Sequence, residues 1–363
     1  MPTIQQLADV ANFVRSTINR DKYQSLAALY PDYLYTQQFL QSTRRTTAVS
    51  TTVQETLEVA APSSFEASYV NHPLTVAVPD LLKKVTVELV KYRAAVGFST
   101  DEQAFSDNNP ERVVKAVEVR MKKVERDWIE GLENALATKP ATSSVFPQTL
   151  LGLPYWLPAD AAATDLEMNG GSDPVGFTAG AGNLTVAEVP RWAHAVAGWT
   201  KLSDDDLFDK MSEFLNRAMY FSPVSYNAEA PNTPQRQILI QMPLRMAYER
   251  LLTVANDNLR SDVGMWRNNL NFRSIPMYVW HAISDPASPV RPAHGLLYII
   301  DWNTFDWITH SSFDGSMEEP VHDPNVPGAI KIWRQAYTQL RCLNRERNAT
   351  FYSGAAEFLP SAT

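Results

Sequence analysis

The stretch that most constrains this chain runs from Asn109 to Thr138, NPERVVKAVEVRMKKVERDWIEGLENALAT. Its periodicity predicts one uninterrupted helix. Asn109 suits the N-cap, Pro110 the first helical position, and Glu111 places a carboxylate at the positive end of the helix dipole. Val113, Val117, Met121, Val124, Trp128, Leu132 and Ala135 recur at three- and four-residue steps and make one apolar face. Glu111–Lys115, Glu118–Lys122 and Arg126–Glu130 are spaced as i,i+4 pairs on the wet face. Lys139 and Pro140 end the pattern. At about 1.5 Å per residue such a rod is roughly 40–45 Å long, longer than most small domains need. A flat or elongated molecule built along a spine is the expectation.

What lies around the helix sets the fold class. Residues 1–45 read as an amphipathic helical arm, with Ile4, Leu7, Ala8, Ala11, Phe13 and Val14 first and Tyr33, Leu34, Phe39 and Leu40 after Pro31. These pieces are too short to hold a core alone. Residues 46–98 are rich in Thr and Val and alternate, as in Val85, Val87 and Leu89. They read as a long two-stranded excursion that needs a neighbour, such as another subunit, to lie on. Residues 141–190 are loop-rich, with Tyr155 and Trp156 as apolar anchors. A helix follows at Asp204–Tyr220, with Ser203 and Asp206 spaced as a capping box. Then come a strand at Gln237–Met242, a helix at Leu244–Asn256, and strands at Ile275–His281, Leu296–Trp302 and Ile330–Leu343. No internal repeat is visible. The layout is α+β.

Composition excludes several classes. The 363 residues carry a net charge of −8, so the strongly basic footprint of a nucleic-acid reader is missing. No apolar run approaches the roughly 18–20 residues of a membrane span, and the N-terminus lacks a signal-peptide layout. The single cysteine, Cys342, cannot form an intrachain disulfide. The sequons at Asn183 and Asn348 are accordingly expected to be unused.

No catalytic, cofactor-binding or metal-binding residue emerges. GFTAGAG at 176–182 has no following Gly-Lys-Ser/Thr and reads as a mobile loop. The histidines at 72, 194, 281, 294, 310 and 322 show no HExxH or His-x3-His spacing; His281 with Asp285 and His322 with Asp323 are weak pairs. The acidic run Asp204–Asp206 sits at a helix start, where carboxylates cap. There is no Gly-x-Ser-x-Gly elbow. Cys342 reads as a small core residue, and the tryptophans at 266, 280, 302, 307 and 333 as core or interface anchors. Arg334, Arg341, Arg345 and Arg347 are the one candidate nucleic-acid patch; Glu346 dilutes it, and the strand pattern accounts equally for Arg341.

The order of these parts resembles the major capsid proteins of tailed bacteriophages, with the HK97-like fold. FSTDEQAFSDNNPERVVKAVEVRMKKVERDWIEGLENAL resembles the entry to that family's spine helix, and SDDDLFDKMSEFLNRAMYFSPV the helix after its variable region. NDNLRSDVGMW, FRSIPMYVW and GLLYIIDWNTFDW resemble the axial-domain succession, and KIWRQAYTQLRCLNRERNATFYSG the closing strand. The resemblance covers about residues 45–354. It implies an N-terminal arm at 1–45, an extended hairpin (E-loop) at 46–98, spine helix and peripheral domain at 99–150, a variable glycine-containing region at 151–202, a mainly axial domain at 203–329, and the closing peripheral strand with the tail at 330–363. It also implies a non-enzymatic subunit without cofactors. Pentamers and hexamers would close into an icosahedral virion shell around double-stranded DNA, without sequence-specific recognition and without a membrane. Assembly would take place in the host cytoplasm, with scaffolding, portal and cement proteins as possible partners. No charged prodomain precedes residue 1, so scaffolding is expected from a separate protein or an absent segment. Lys83, Lys84 and Lys91 lie in the hairpin, but no cross-link is expected from them. The alternatives are an encapsulin-like nanocompartment shell or a soluble hydrolase with a dispersed site.

Overall fold

The structure is a computed structural model that describes residues 33–35, 38–39, 45–58, 82–99, 110–140, 149–160, 163–218, 235–255, 270–284, 295–322 and 329–353. In chain order the first strands are β1 (Arg45–Ala48), β2 (Thr52–Glu58), β3 (Leu82–Glu88), β4 (Val90–Ser99), β5 (Ala195–Gly198), β6 (Arg236–Ile240) and β7 (Asn271–Phe272). They continue as β8 (Ile275–Val279), β9 (Leu297–Asp301), β10 (Phe305–Met317), β11 (Val321–His322), β12 (Ala329–Cys342) and β13 (Ala349–Tyr352). The helices are α1 (Pro110–Leu136), α2 (Leu153–Trp156), α3 (Asp209–Ala218), α4 (Met242–Ala255) and α5 (His281–Ser284). Strands dominate, in an α+β arrangement.

The long helix forms where its periodicity predicts. Val117, Met121, Val124, Trp128, Leu132 and Ala135 are buried. Lys122 pairs with Glu118 at 2.6 Å and Arg126 with Glu130 at 3.7 Å; the side chains of Glu111 and Lys115 lie outside the described residues. The buried face is wider than the apolar stripe, because Ile129, Glu125 and Glu133 are buried as well.

The described residues build two large sheets. In the first, β10 and β12 pair antiparallel, β4 lies antiparallel on β12, β11 extends the pairing of β12, and β1 runs parallel to β10. The helix α1 covers this sheet: Val117 and Met121 pack with Phe98, Met317, Ile330 and Ile332. The second sheet has the order β5-β13-β9-β6-β8-β7. Both of its faces are covered. On β9, Leu297 and Ile299 point into a cluster with Met211, Phe214 and Leu215 of α3 and Leu244 of α4. Tyr298 and Ile300 point the other way, into the cluster that holds Trp128, Trp156, Trp280, Trp302 and Trp307. A strand buried on both faces is apolar without alternation, as LYIID is.

The sheets cross the segment boundaries expected from the sequence. Residues 195–198 and 349–352 join the second sheet, while 305–317 and 321–322 join the first. The 46–98 excursion also divides. Only β2 and β3 pair with each other; β1 joins β10 and β4 joins β12. Part of the described ribbon finds a neighbour within this chain. Val85 and Val87 are buried in this chain's own core, and the amide of Thr86 donates to the Gly182 carbonyl at 2.9 Å. The same holds for the end of the arm, where Leu34 and Phe39 are buried. Residues 1–32 and 59–81 lie outside the described residues.

Candidate functional site

Among the described residues, those that could have carried chemistry do not converge. His281 is exposed at the start of α5 and His322 is exposed in β11, while Asp285, Asp323, His72 and His294 lie outside the described residues. His310 lies with Nε2 2.9 Å from the Val49 carbonyl and Nδ1 accepting from the Ser312 amide at 3.1 Å. Among the described residues, no three His, Cys, Asp or Glu side chains gather as metal ligands. Cys342 is buried, and desolvation pushes its thiol up to about 12, far from a reactive thiolate.

The acidic run does structural work, though not as a capping box. A π-helical turn, Asp204–Phe208, precedes α3, and Ser203 makes no side-chain cap. Asp206 instead reaches back to the amides of Thr200 and Lys201, both at 2.8 Å, and pairs with Lys210 at 2.8 Å. Burial raises its pKa, but these partners outweigh burial and hold the carboxyl below its usual range.

The C-terminal arginines do not form an outward patch. Arg334 is buried over the Trp128 ring at 5.4 Å and lies 3.5 Å from the buried Glu125. Arg341 is buried between Glu55 of β2 at 3.0 Å and Asp306 of β10 at 2.7 Å, so it ties the two-stranded ribbon to the first sheet. Arg347 lies 3.8 Å from the buried Asp301.

Arg345 is the centre of a buried polar cluster. It is fully buried in the link between β12 and β13. Its Nε donates to the Trp156 carbonyl at 2.7 Å, and Nη2 donates to the Ser172 carbonyl at 3.0 Å and to His194 Nδ1 at 3.2 Å. The guanidinium sits 5.9 Å from the Trp192 ring centre, with Asp173 at 3.8 Å. An acceptor Nδ1 fixes the tautomer of His194: its Nε2 donates to the Pro158 carbonyl at 2.9 Å. Desolvation, reinforced by the neighbouring guanidinium, pushes His194 down to about 3, so it is neutral at physiological pH. Sequence reasoning missed this pairing, which spans 151 positions; neither residue belongs to a local motif.

The glycine-containing stretch is pinned rather than mobile. The Tyr155 hydroxyl donates to the Gly180 carbonyl at 3.3 Å and accepts from the Gly182 amide at 2.9 Å, while the Trp192 indole donates to the Ala181 carbonyl at 2.9 Å. Gly180 and Gly182 have φ of +75° and +64°, a region that disfavours side chains. A Cβ on Gly182 would stand 2.7 Å from Val85. The glycines therefore let the stretch press against β3 and the aromatic core. The Tyr155 hydroxyl and the Trp192 indole, like the Arg345 guanidinium, join separate segments of the chain.

The structure is similar to the capsid asymmetric unit of cyanophage A-1(L), with 12% identity and a TM-score of 0.54, over 87% of this chain and 91% of that one. It is also similar to the capsid of a native GTA particle, with 9% identity and a TM-score of 0.52, over 86% of this chain and 88% of that one. The chain shares their fold. No family model matches the sequence, and no protein of established function matches it in sequence.

Proposed function

We propose that this chain is the major capsid protein of a tailed bacteriophage, a non-enzymatic shell subunit with the HK97-like fold. The observation that carries this reading is the extent of the likeness: it takes in 87% of this chain and 91% of the cyanophage capsid chain, so it concerns the whole subunit. The spending of buried polar groups on internal clasps supports it. In this reading α1 is the spine helix, and the first sheet with α1 forms the peripheral domain. The six-stranded sheet with α3 and α4 forms the axial domain, and β2 and β3 belong to the E-loop. Copies assemble into pentamers and hexamers of an icosahedral head enclosing double-stranded DNA. Many modest interfaces, repeated, then give a stable shell by avidity. Scaffolding, portal and cement proteins are the partners this reading expects, and the virion is its location.

The test is to purify the expressed chain, alone and with its neighbouring structural proteins, and image it by cryo-electron microscopy. Closed particles of uniform size are expected. A monodisperse monomer under all conditions overturns the proposal. Particles that package a protein cargo and never DNA would point to a nanocompartment shell.

A further inference from the structure

The turn that leads the chain into the Arg345 cluster contains an Asn-Gly pair. Residues 167–170, Glu-Met-Asn-Gly, form a tight reversal in which the Gly170 amide donates to the Glu167 carbonyl at 3.4 Å. Both sides of it are pinned. Glu167 exchanges both backbone hydrogen bonds with Val196 of β5, at 2.9 and 3.0 Å, and the Gly171 amide donates to the His194 carbonyl at 2.9 Å. The next residue, Ser172, offers the carbonyl that accepts from Arg345 Nη2 at 3.0 Å.

The packing of this turn favours glycine at its end. A Cβ at position 170 would stand 2.4 Å from Glu167 Oε2, 2.5 Å from Glu167 Cβ and 3.0 Å from Val196 Cγ2. Position 171 is as confined, since a Cβ there would stand 2.2 Å from His194 Nδ1. Asn169, by contrast, is exposed, and among the described residues no hydrogen bond holds its side chain. An unshielded side-chain amide therefore stands beside the residue type that leaves its own backbone nitrogen bare and its dihedral angles free. The Gly170 N–H is only loosely engaged, because 3.4 Å exceeds the roughly 2.7–3.2 Å of a firm N–H···O bond.

We propose that Asn169–Gly170 is a deamidation site built into the fold, and that its isoaspartate product loosens the joint between Arg345 and His194. The Gly170 nitrogen attacks Asn169 Cγ. A Cγ–N bond forms, the Cγ–Nδ2 bond breaks, and the Gly170 amide proton leaves with the side-chain nitrogen as ammonia. Water, the only co-reactant, then opens the cyclic imide, its hydroxyl joining a carbonyl carbon and its proton the ring nitrogen. Opening at Cγ yields aspartate. Opening at the Asn169 backbone carbonyl carbon yields isoaspartate, whose main chain runs through Cβ and Cγ and is longer by a carbon. Aspartate changes only the charge of an exposed side chain near the exposed Glu167, and charges so placed in water interact weakly. Isoaspartate inserts its extra atom between two pinned points, Glu167 on Val196 and Gly171 on His194. The reversal must bulge. What it does not absorb reaches Gly171, packed on the His194 ring, and the Ser172 carbonyl bonded to Arg345.

The inference rests on one subunit and is independent of shell assembly. Its test is peptide mapping by mass spectrometry of the full folded chain after incubation in mildly alkaline buffer, with isoaspartate identified by enzymatic methylation. Asn169 is expected to convert ahead of the other asparagines among the described residues. Asn169→Gln, whose side chain would have to close a larger ring, is expected not to convert at that position. An intact Asn169 amide in the folded chain, under conditions that convert it in the urea-unfolded chain, overturns the site. The isoaspartate form, separated by chromatography, is expected to unfold at a lower urea midpoint than the unconverted chain. Asn169→Asp carries the same charge on an ordinary backbone and is expected to keep its midpoint. An isoaspartate form as stable as its parent overturns the effect on the joint, and so does conversion to aspartate alone. An Asn169→Asp variant that loses as much also overturns it, because charge would then account for the loss.

Discussion

Replacing Arg345 with methionine gives the sharpest test of how this subunit is held together. Methionine fills much of the arginine volume but brings no donor. Three acceptors lose their partner: the carbonyls of Trp156 and Ser172 and Nδ1 of His194. Each buried acceptor left unsatisfied costs about 1–3 kcal/mol. Partly offsetting this, the native state no longer has to desolvate a guanidinium. Asp173 matters less, since it is 3.8 Å away and 28% exposed. The balance is a destabilisation of about 3–5 kcal/mol, a large fraction of the 5–15 kcal/mol that typically holds a folded protein. Urea unfolding of the unassembled subunit, followed by tryptophan fluorescence, measures it as a fall in midpoint at unchanged m-value. The same variant has a second signature. With the guanidinium gone, one of the two influences that keep His194 deprotonated disappears, so its pKa should rise, as NMR titration would show. A loss below about 1 kcal/mol, or a His194 titration that does not move, would refute the clasp described above.

Three further outcomes are expected. Trp128→Ala removes a buried ring that packs under Arg334 and beside Gly315, and should cost about 3–5 kcal/mol in the same unfolding assay. Stability should also fall in acid through His194. The folded imidazole resists protonation down to about 3 while the unfolded chain takes a proton near 6.5, so the unfolded state binds more protons across that window and gains up to roughly 1.4 kcal/mol per pH unit. His194→Gln should flatten this limb in thermal melts measured from pH 7 to pH 4. Cys342 should resist iodoacetamide in the folded protein and react only after unfolding, as intact-mass measurement can follow; rapid native alkylation would contradict its burial and raised pKa.

The legible parts of this chain were those whose information is local. The long helix announces itself through Pro110, its three- and four-residue stripe and the stop at Pro140; β12 does so through the alternation from Ile330 to Thr338. The strand β10 was not read, because SSFDGS looks like a turn. It remains in a strand through register irregularities between Thr309 and Asp314 and between Asp314 and Met317, with Gly315 at φ +89°. The strands β5 and β13 are four residues each and acquire meaning only by pairing with distant partners, with one another and, for β13, with β9. The buried polar centres were equally hidden. Glu133 and Glu125 look like ordinary helix-surface residues until the segment at 33–35 and Arg334 arrive to cover them. Where the polar groups would be used was not legible, since each clasp joins residues far apart along the chain.

The six residues from 343 to 348 have a mechanical consequence. They run from the last strand of the first sheet directly into the second, and a link of this length spans at most about 20 Å even when taut. Arg345 grips the α2 region on one side, and Asn348 is bonded to Thr304, Asn344 and Asp301 on the other. Torque applied to one sheet thus reaches the other through a joint with almost no slack, and the still shorter link Trp302–Thr304, from β9 to β10, is bonded to it through Asn348 and Thr304.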